Sequence, residues 1–260
     1  MAEDEAWSLG FAETATVFES ASQNARVWTE GWVAAWCFCP SCGAQRLDPL
    51  PTNNKVGDFR CETCTEEYEL KAQKGRFGAK VVDGAFGAMT ARLAASNSPN
   101  LMLMNYDVAR RSVTDLIVVP KHFFVPEIIE RRKPLAATAR RAGWVGCNIL
   151  LGQVPDAGKI ILLNGGHQTP RAEVLEQWRK TLFLREEPVA TRGWLIEVMK
   201  CVELIGRPEF TLDDVYAYEG RLSVIYPDNN NVRPKIRQQL QLLRDAGYLA
   251  FEGRGRYRRT

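Results

Sequence analysis

The chain has 260 residues, 45% of them hydrophobic and 25% charged, with a net charge of +3. Those values belong to an ordinary globular protein of one large or two smaller domains, and they exclude disordered, collagenous and coiled-coil classes. It contains no apolar run of the length a membrane-spanning helix needs, about 18 residues or more. The acidic start Met1-Ala-Glu-Asp-Glu-Ala-Trp7 also lacks the basic and apolar regions of a secretory signal. A cytoplasmic protein with no membrane association is expected.

Charge is spread unevenly. Residues 1–20 carry five acidic side chains and no Lys or Arg. Residues 232–260 carry eight Arg or Lys against Asp245 and Glu252. A basic end on a nearly neutral chain suits a polyanion partner, or else a solvated surface.

In chain order, residues 22–36 place Ala25, Val27, Trp28, Trp32 and Trp36 at near-helical spacing, which predicts an amphipathic helix. Glu30 on it is either a further carboxylate for a metal site or a solvated helix-surface residue. Next come Cys39-Pro-Ser-Cys42 and Cys61-Glu-Thr-Cys64, a C-x2-C…C-x2-C pattern of the zinc-ribbon or zinc-knuckle kind. Each turn brings two thiolates to one ion, and two turns complete a tetrahedron around Zn²⁺ at about 2.3 Å. Four protein ligands leave no open position, so such a zinc organises structure. A redox dithiol is the alternative, and a disulfide is disfavoured in a reducing compartment. Cys37, Cys147 and Cys201 sit in apolar surroundings and read as core thiols.

Residues 55–60 and 66–72 read as two strands, with 61–65 as the turn of a hairpin. Side chains two apart on a strand share a face, so Glu69 and Lys71 point one way and Leu70 the other, into a core. Asp58 on the adjoining strand reaches the same face as Glu69 and Lys71. Two carboxylates with a lysine are what hydrolysis of a phosphodiester needs. Asp58 and Glu69 would hold a hard Mg²⁺ through oxygen, and Lys71 would orient water and stabilise charge. The pattern Asp-x10-Glu-x-Lys is by itself unspecific, because Glu and Lys alternate on many exposed strands.

A helix is expected over 84–95 and buried strands over 101–106, 114–119 and 160–163, with prolines 51, 120, 126, 134 and 155 punctuating the connections. Strands mixed with helices predict an α/β domain with a mixed sheet. His122 and His167 are too few for a histidine metal site and are expected to pack or to face solvent. In Arg140-Arg-Ala-Gly-Trp144-Val-Gly-Cys-Asn148 the glycines suggest a loop. Its Trp144 is either a core residue or a flat surface for a base or its methyl group, and Arg140 and Arg141 would contact phosphates.

A boundary falls near Arg185-Glu-Glu-Pro188, giving domains 1–187 and 188–260. From Gly193 onward the pattern is that of a winged helix, with Trp194, Leu195, Val198, Cys201, Val202 and Ile205 on the apolar face of its first helix. Thr211-Leu-Asp-Asp214 is a capping box, and Asn231 can cap a third helix that tolerates Pro234 in its first turn. Val232, Ile236, Leu240 and Leu243 face its core, leaving Arg233, Lys235, Arg237, Gln238, Gln241 and Arg244 outside. Arg and Gln read guanine and adenine in the major groove. The Gly253-Arg-Gly255 turn forms the wing, whose Arg254 and Arg256 would lie against the DNA backbone. A protein-docking winged helix is the other reading.

Segment 54–72, with Asp58, Glu69 and Lys71, resembles the catalytic hairpin of the PD-(D/E)xK nucleases, specifically the DpnI-like methyl-directed (Type IIM) restriction endonucleases. Residues 22–32, the Cys39–Cys42 turn, 134–148 and 235–255 resemble the same family, so the likeness runs from about residue 15 to the end of the chain. One departure is Gly57, where the general nuclease motif has proline. The resemblance implies a PD-(D/E)xK core with a zinc-binding insertion and a C-terminal winged helix. It implies Mg²⁺-dependent cleavage of double-stranded DNA at GATC sites bearing N6-methyladenine, with Asp58, Glu69 and Lys71 catalytic. It also favours a DNA-contacting Trp144.

Two classes of function follow: a metal-dependent endonuclease, or a zinc-containing winged-helix transcription factor or methyl-DNA reader without catalysis. The Asp58, Glu69 and Lys71 set favours the enzyme. Methylated double-stranded DNA is the expected partner. No obligate protein partner is evident, and the chain is expected to act as a monomer.

Overall fold

A computed structural model describes residues 6–12, 18–51, 57–95 and 97–260. The chain forms two compact units, each built from several stretches of sequence: 1–78, 88–121 and 157–179 in the first, and 79–87, 122–156 and 180–260 in the second.

The first unit is a seven-stranded mixed sheet with helices. It holds α1 (Ala21–Trp36), β1 (Asp48–Pro49), β2 (Phe59–Arg60), β3 (Glu67–Lys74), β5 (Asn100–Asp107), β6 (Ser112–Val119), β9 (Ile160–Asn164), β10 (His167–Gln168) and α3 (Arg171–Arg179). The strand order is β1-β2-β3-β5-β6-β9-β10. Only β3 and β5 run parallel, as a crossover connection requires. The intervening chain supplies β4 (Val81–Ala85) to the second unit, and α2 (Phe86–Ala94) follows it across the division.

Central strand β5 explains the continuous apolar run at 101–104: Leu101, Met102, Leu103 and Met104 are all buried, as befits a strand covered on both faces. Polar residues close its ends. Buried Asn100 donates from Nδ2 to Glu66 Oε2 at 2.8 Å and to the Glu67 carbonyl at 2.9 Å, while its Oδ1 accepts from the Lys121 amide at 2.8 Å. Glu66, itself buried, is also paired with Lys121 Nζ at 3.1 Å. Asn105 Nδ2 donates to the Gly75 carbonyl.

The expected helix and strands of this unit are present within a residue or two, except that the first hairpin strand is only Phe59–Arg60 and leaves Asp58, expected on it, just before it. The β2–β3 hairpin turns at 61–65, pairing Phe59 with Tyr68 and Arg60 with Glu67. Residues 55 and 56, expected at the start of its first strand, lie outside the described residues. Two side-chain expectations are corrected. Val27 is exposed on α1, because the buried stripe runs through Thr29, Trp32 and Val33 instead. Leu70 is half-buried and lines a cavity, because β3 has open space on that side and not a closed core.

In the second unit, β4, β7 (Ile129–Arg131) and β8 (Gly146–Ile149) make a small antiparallel sheet in the order β4-β8-β7, which the sequence pattern had not revealed. The same unit contains α4 (Val189–Leu204), β11 (Glu209–Thr211), α5 (Leu212–Tyr216), α6 (Glu219–Ile225), α7 (Val232–Asp245), β12 (Leu249–Gly253) and β13 (Arg256–Arg259). Strands β11-β13-β12 form the winged-helix sheet. Helix α4 begins at Val189, earlier than Gly193, and buries Ile196, Glu197 and Met199 as well as Trp194, Leu195, Val198, Cys201 and Val202. Ile205, expected on the same face, caps the helix and is only half-buried. A single apolar face was too narrow an expectation, because α4 is covered on more than one side. Within this unit the Glu127 carboxylate sits against Gly193, where a Cβ would come within 2.6 Å of Oε1.

The Thr211 capping box is present: the Asp214 amide donates to Thr211 Oγ1 at 3.2 Å, and the Thr211 amide to Asp214 Oδ2 at 2.7 Å. Those bonds, with Arg207 beside it, hold the Asp214 carboxyl below its ordinary range. Asn231 stands at the N-cap of α7 but makes no side-chain cap. Pro234 occupies the third helical position and has no N–H to offer it, and the Asn231 amide instead donates to Asn229 Oδ1 at 2.8 Å. Of the two histidines, His122 is buried against Thr181 and His167 is exposed.

The buried face of α7 holds Val232, Ile236, Leu240 and Leu243, and also Gln239, whose two side-chain polar atoms are buried without a hydrogen-bond partner. Gln239→Met keeps the volume and removes both unsatisfied groups. It is expected to raise thermal stability by about 1 kcal/mol, read as a higher Tm by calorimetry; a lower Tm would refute this account of Gln239.

Candidate metal centre, carboxylate site and nucleic-acid interface

The four cysteines of the two Cys-x2-Cys turns converge. Among the described residues they are the only group of three or more His, Cys, Asp or Glu whose ligand atoms lie within 4.8 Å of one another. Sγ atoms of Cys39 and Cys64, and of Cys42 and Cys61, are 3.6 Å apart. A tetrahedral Zn²⁺ with bonds of about 2.3 Å requires separations of about 3.8 Å, so the donor set fits structural zinc.

The two turns are built alike. The Gly43 amide donates to the Cys39 carbonyl and the Thr65 amide to the Cys61 carbonyl, both at 2.8 Å. The Cys39 amide then donates to Ala44 and the Cys61 amide to Glu66. Each turn closes on a residue of positive φ, Gly43 at 80° and Thr65 at 61°. The first is reserved for glycine twice over, since a Cβ there would also meet Leu175 at 3.0 Å. Burial pushes the Cys39 thiol up, while the Cys61 thiol is held below its ordinary value against its own desolvation by the amides of Cys64 and Thr63. Tyr68 Oη lies 3.2 Å from Cys39 Sγ and ties β3 to the centre.

Asp58 and Glu69 flank this centre on the hairpin. The Asp58 amide donates to the Tyr68 carbonyl, and the Leu70 amide donates to Asp58 Oδ2, both at 2.8 Å, so the carboxylate is fixed on β3. Lys71 Nζ is 2.8 Å from Glu69 Oε1, which places both side chains on one face. Arg92 of α2 stands 3.7 Å from Glu69 Oε2. A cavity of about 400 Å³ is lined by Asp58, Glu69, Leu70 and Ala72 from the hairpin and by Arg26, Thr29 and Glu30 from α1. Arg26 Nε is 2.5 Å from Glu30 Oε1, and its Nη2 is 3.7 Å from Asp58 Oδ1. Glu30 therefore faces this cavity. Sequence reasoning missed Arg26 and Arg92, which lie far from the hairpin in sequence and show no motif.

The second unit carries the nucleic-acid candidates. Residues 132–146 continue the β7–β8 pairing as a hairpin arm, through Arg132 amide to Gly146, Leu135 amide to Trp144 and Gly143 amide to Leu135. Trp144 is half-buried there and packs onto Gly146, where a Cβ would be 2.8 Å from its ring, with the Arg141 guanidinium 4.9 Å from the ring centroid. As expected it lies in a loop, the one between β7 and β8, which these backbone bonds hold together. Arg140 and Arg141 are exposed, as are Arg131, Arg132 and Lys133, which the sequence reading did not single out.

On α7, Arg233, Arg237, Gln238, Gln241 and Arg244 are exposed and Lys235 half-buried. Arg233 is held by Glu219 at 2.8 Å, Lys235 by Gln238 at 2.9 Å and Arg244 by Asp245 at 2.7 Å. Arg237 and Gln241 have no such partner among the described residues. Wing residues Arg254 and Gly255 both have positive φ, 47° and 72°, between paired Gly253 and Arg256. Such a two-residue turn matches the twist of its strands and presents Arg254 at the tip.

The fold joins a mixed α/β sheet, carrying a four-cysteine cluster that fits zinc, to a C-terminal winged helix. A family model described as DpnI, the Dam-replacing family, matches residues 10–187, and a second, DpnI_C, the Dam-replacing HTH domain, matches residues 190–259. The chain belongs to the DpnI, or Dam-replacing, family, with a C-terminal winged helix. Among the described residues no helix is long and apolar enough to cross a membrane.

Elemental analysis of the purified chain is expected to give one zinc per chain. Cys61→Ser or prolonged chelation should unfold the hairpin region, because ligation energy is folding energy in such centres. Stoichiometric absence of zinc in freshly purified, folded protein would defeat the ligand assignment.

Proposed function

We propose that the chain is a restriction endonuclease that cleaves double-stranded DNA at GATC sites containing N6-methyladenine, by Mg²⁺-dependent phosphodiester hydrolysis. The observation that carries this reading is the shared cavity of Asp58, Glu69 and Glu30, with Lys71 on Glu69, in a chain of this family. The donor set suits a hard cation, being carboxylate oxygen throughout. Asp58 and Glu69 would hold the magnesium. When bound, such an ion polarises the phosphoryl oxygen and lowers the pKa of an attacking water. Lys71, close to Glu69, orients that water and stabilises negative charge as it develops. Asp58 stays in place because the Leu70 amide fixes one of its oxygens.

Residues 1–187 act in this reading as the nuclease and 188–260 as a DNA-reading winged helix, and the chain works as a monomer. Arg140, Arg141 and Trp144 meet the DNA from the arm, and Arg233, Lys235, Arg237, Gln238, Gln241 and Arg244 from α7. Arg254 and Arg256 lie against the backbone from the wing. Exposure of the positive side chains supports these contacts.

The decisive experiment incubates the protein with methylated and unmethylated plasmid in Mg²⁺. Lys71→Ala and Glu69→Ala should each lower the cleavage rate by at least about 10²-fold, yet bind DNA nearly as well, because only transition-state interactions are lost. Near-normal cleavage by both variants would remove this hairpin from the chemistry. Methyl-dependent binding without any cleavage by the unaltered protein would favour the non-catalytic reader instead.

In a Lys71→Ala background, Arg237→Ala or Gln241→Ala should cost about 1–3 kcal/mol on the methylated site and relax base preference, since base contacts carry discrimination. Arg254→Ala should weaken binding to all sequences about equally and lessen its salt dependence. Identical behaviour of the three variants would refute this division of labour.

A further inference from the structure

Every carboxylate of the cavity is answered by a cation of the chain. Glu69 has Lys71 and Arg92, while Glu30 and Asp58 share Arg26. Three acids thus face three bases, and the site is neutral as it stands. A divalent cation needs several of these oxygens at once, at roughly 2.0–2.1 Å for magnesium. Yet among the described residues no three carboxylates bring their oxygens within 4.8 Å of one another. The guanidinium of Arg26 stands in the gap between two of them.

We propose that Arg26 is an exchangeable counter-cation, a positioning residue that holds Glu30 and Asp58 until a divalent metal ion displaces it. The proposal rests on the nuclease reading above. Its geometry follows from the anchoring of each group. Asp58 Oδ2 is committed to the Leu70 amide, so Oδ1 alone is turned to Arg26. Arg26 and Glu30 are one turn apart on α1, so their pairing is local and does not depend on the hairpin. Arg26 is the most exposed member, with 53% of its side chain accessible against 33% for Glu30 and 25% for Asp58. Solvent reaches it, and it can swing outward without disturbing the core. Lys71 and Arg92, which face Glu69, are each less exposed and remain in place. Displacing Arg26 frees both the Glu30 carboxylate and Asp58 Oδ1 in one movement.

The test is calorimetric titration of the zinc-loaded full chain with Mn²⁺, without DNA, for the unaltered protein and for Arg26→Gln, Arg26→Lys and Asp58→Asn. Mn²⁺ is chosen because it prefers oxygen to the thiolate centre. Removing a competing cation that makes two partly exposed ion pairs should tighten Mn²⁺ binding by roughly five- to tenfold in Arg26→Gln. Arg26→Lys, which keeps the charge, should stay close to the unaltered protein. Asp58→Asn should abolish the binding in either background. Equal or weaker Mn²⁺ binding by Arg26→Gln, with Asp58→Asn still abolishing it, would overturn the proposal and make Arg26 a fixed structural partner. Absence of any Asp58-dependent Mn²⁺ binding would overturn the metal site itself, and this inference with it.

Discussion

The turn of one hairpin is also half of a four-cysteine cluster that fits zinc, and much of the first unit depends on that double use. Cys61 and Cys64 lie in the six-residue connection between β2 and β3, while Asp58 stands just before β2 and Glu69 on β3. Side chains alternate across a strand, so a slip of one residue would send Glu69 and Lys71 to the opposite face. The four-cysteine cluster joins the turn to Cys39 and Cys42, and a zinc ion held there would prevent that slip. It also ties the hairpin to the end of α1, the helix that brings Arg26 and Glu30 into the cavity. A four-cysteine centre has no position open for chemistry. Its effect on the site is geometric.

Buried polar groups carry the same constraint into the sheet. Glu66 follows the second cysteine turn, closes it through its carbonyl, and pairs its side chain with Asn100 and Lys121. A buried carboxylate costs free energy unless fully partnered, and here one partner, Asn100, begins β5 while the other, Lys121, follows β6 and donates its amide to Asn100. The parallel β3–β5 pairing is thus pinned at the end nearest the four-cysteine cluster. The carboxylates of the cavity obey the same logic in a more exposed setting, where pairing with Arg26, Lys71 and Arg92 is weaker.

The second unit shows how sequence families and compactness divide a chain differently. Family matches separate residues 10–187 from 190–259, whereas residues 79–87 and 122–156 fold with the winged helix. Helix α4 is the reason: it buries Trp194, Ile196, Glu197 and Met199 at once. Glu197 meets Arg221 at 2.9 Å, and Arg221 also reaches Gln153 at 2.8 Å. The arm with Trp144 and helix α7 therefore belong to one compact unit.

Local patterns were legible because each reports a local cause. Paired cysteines, the Thr211 capping box, the apolar stripe of α7 and the run at 101–104 depend on neighbours within a turn or a strand, and the structure contains all of them. The sequence by itself determined these elements, the mixed sheet and, through its resemblance, the family. It left open the small β4-β8-β7 sheet, whose strands are short and come from distant segments. It also misjudged Val27, Leu70 and the Asn231 cap, each decided by what stands opposite or by one missing N–H. Only the tertiary structure decided which cations answer the carboxylates. Arg26 lies 32 residues before Asp58 and Arg92 lies 23 after Glu69, and charge interactions depend on distance in space, which separation along the chain does not reveal.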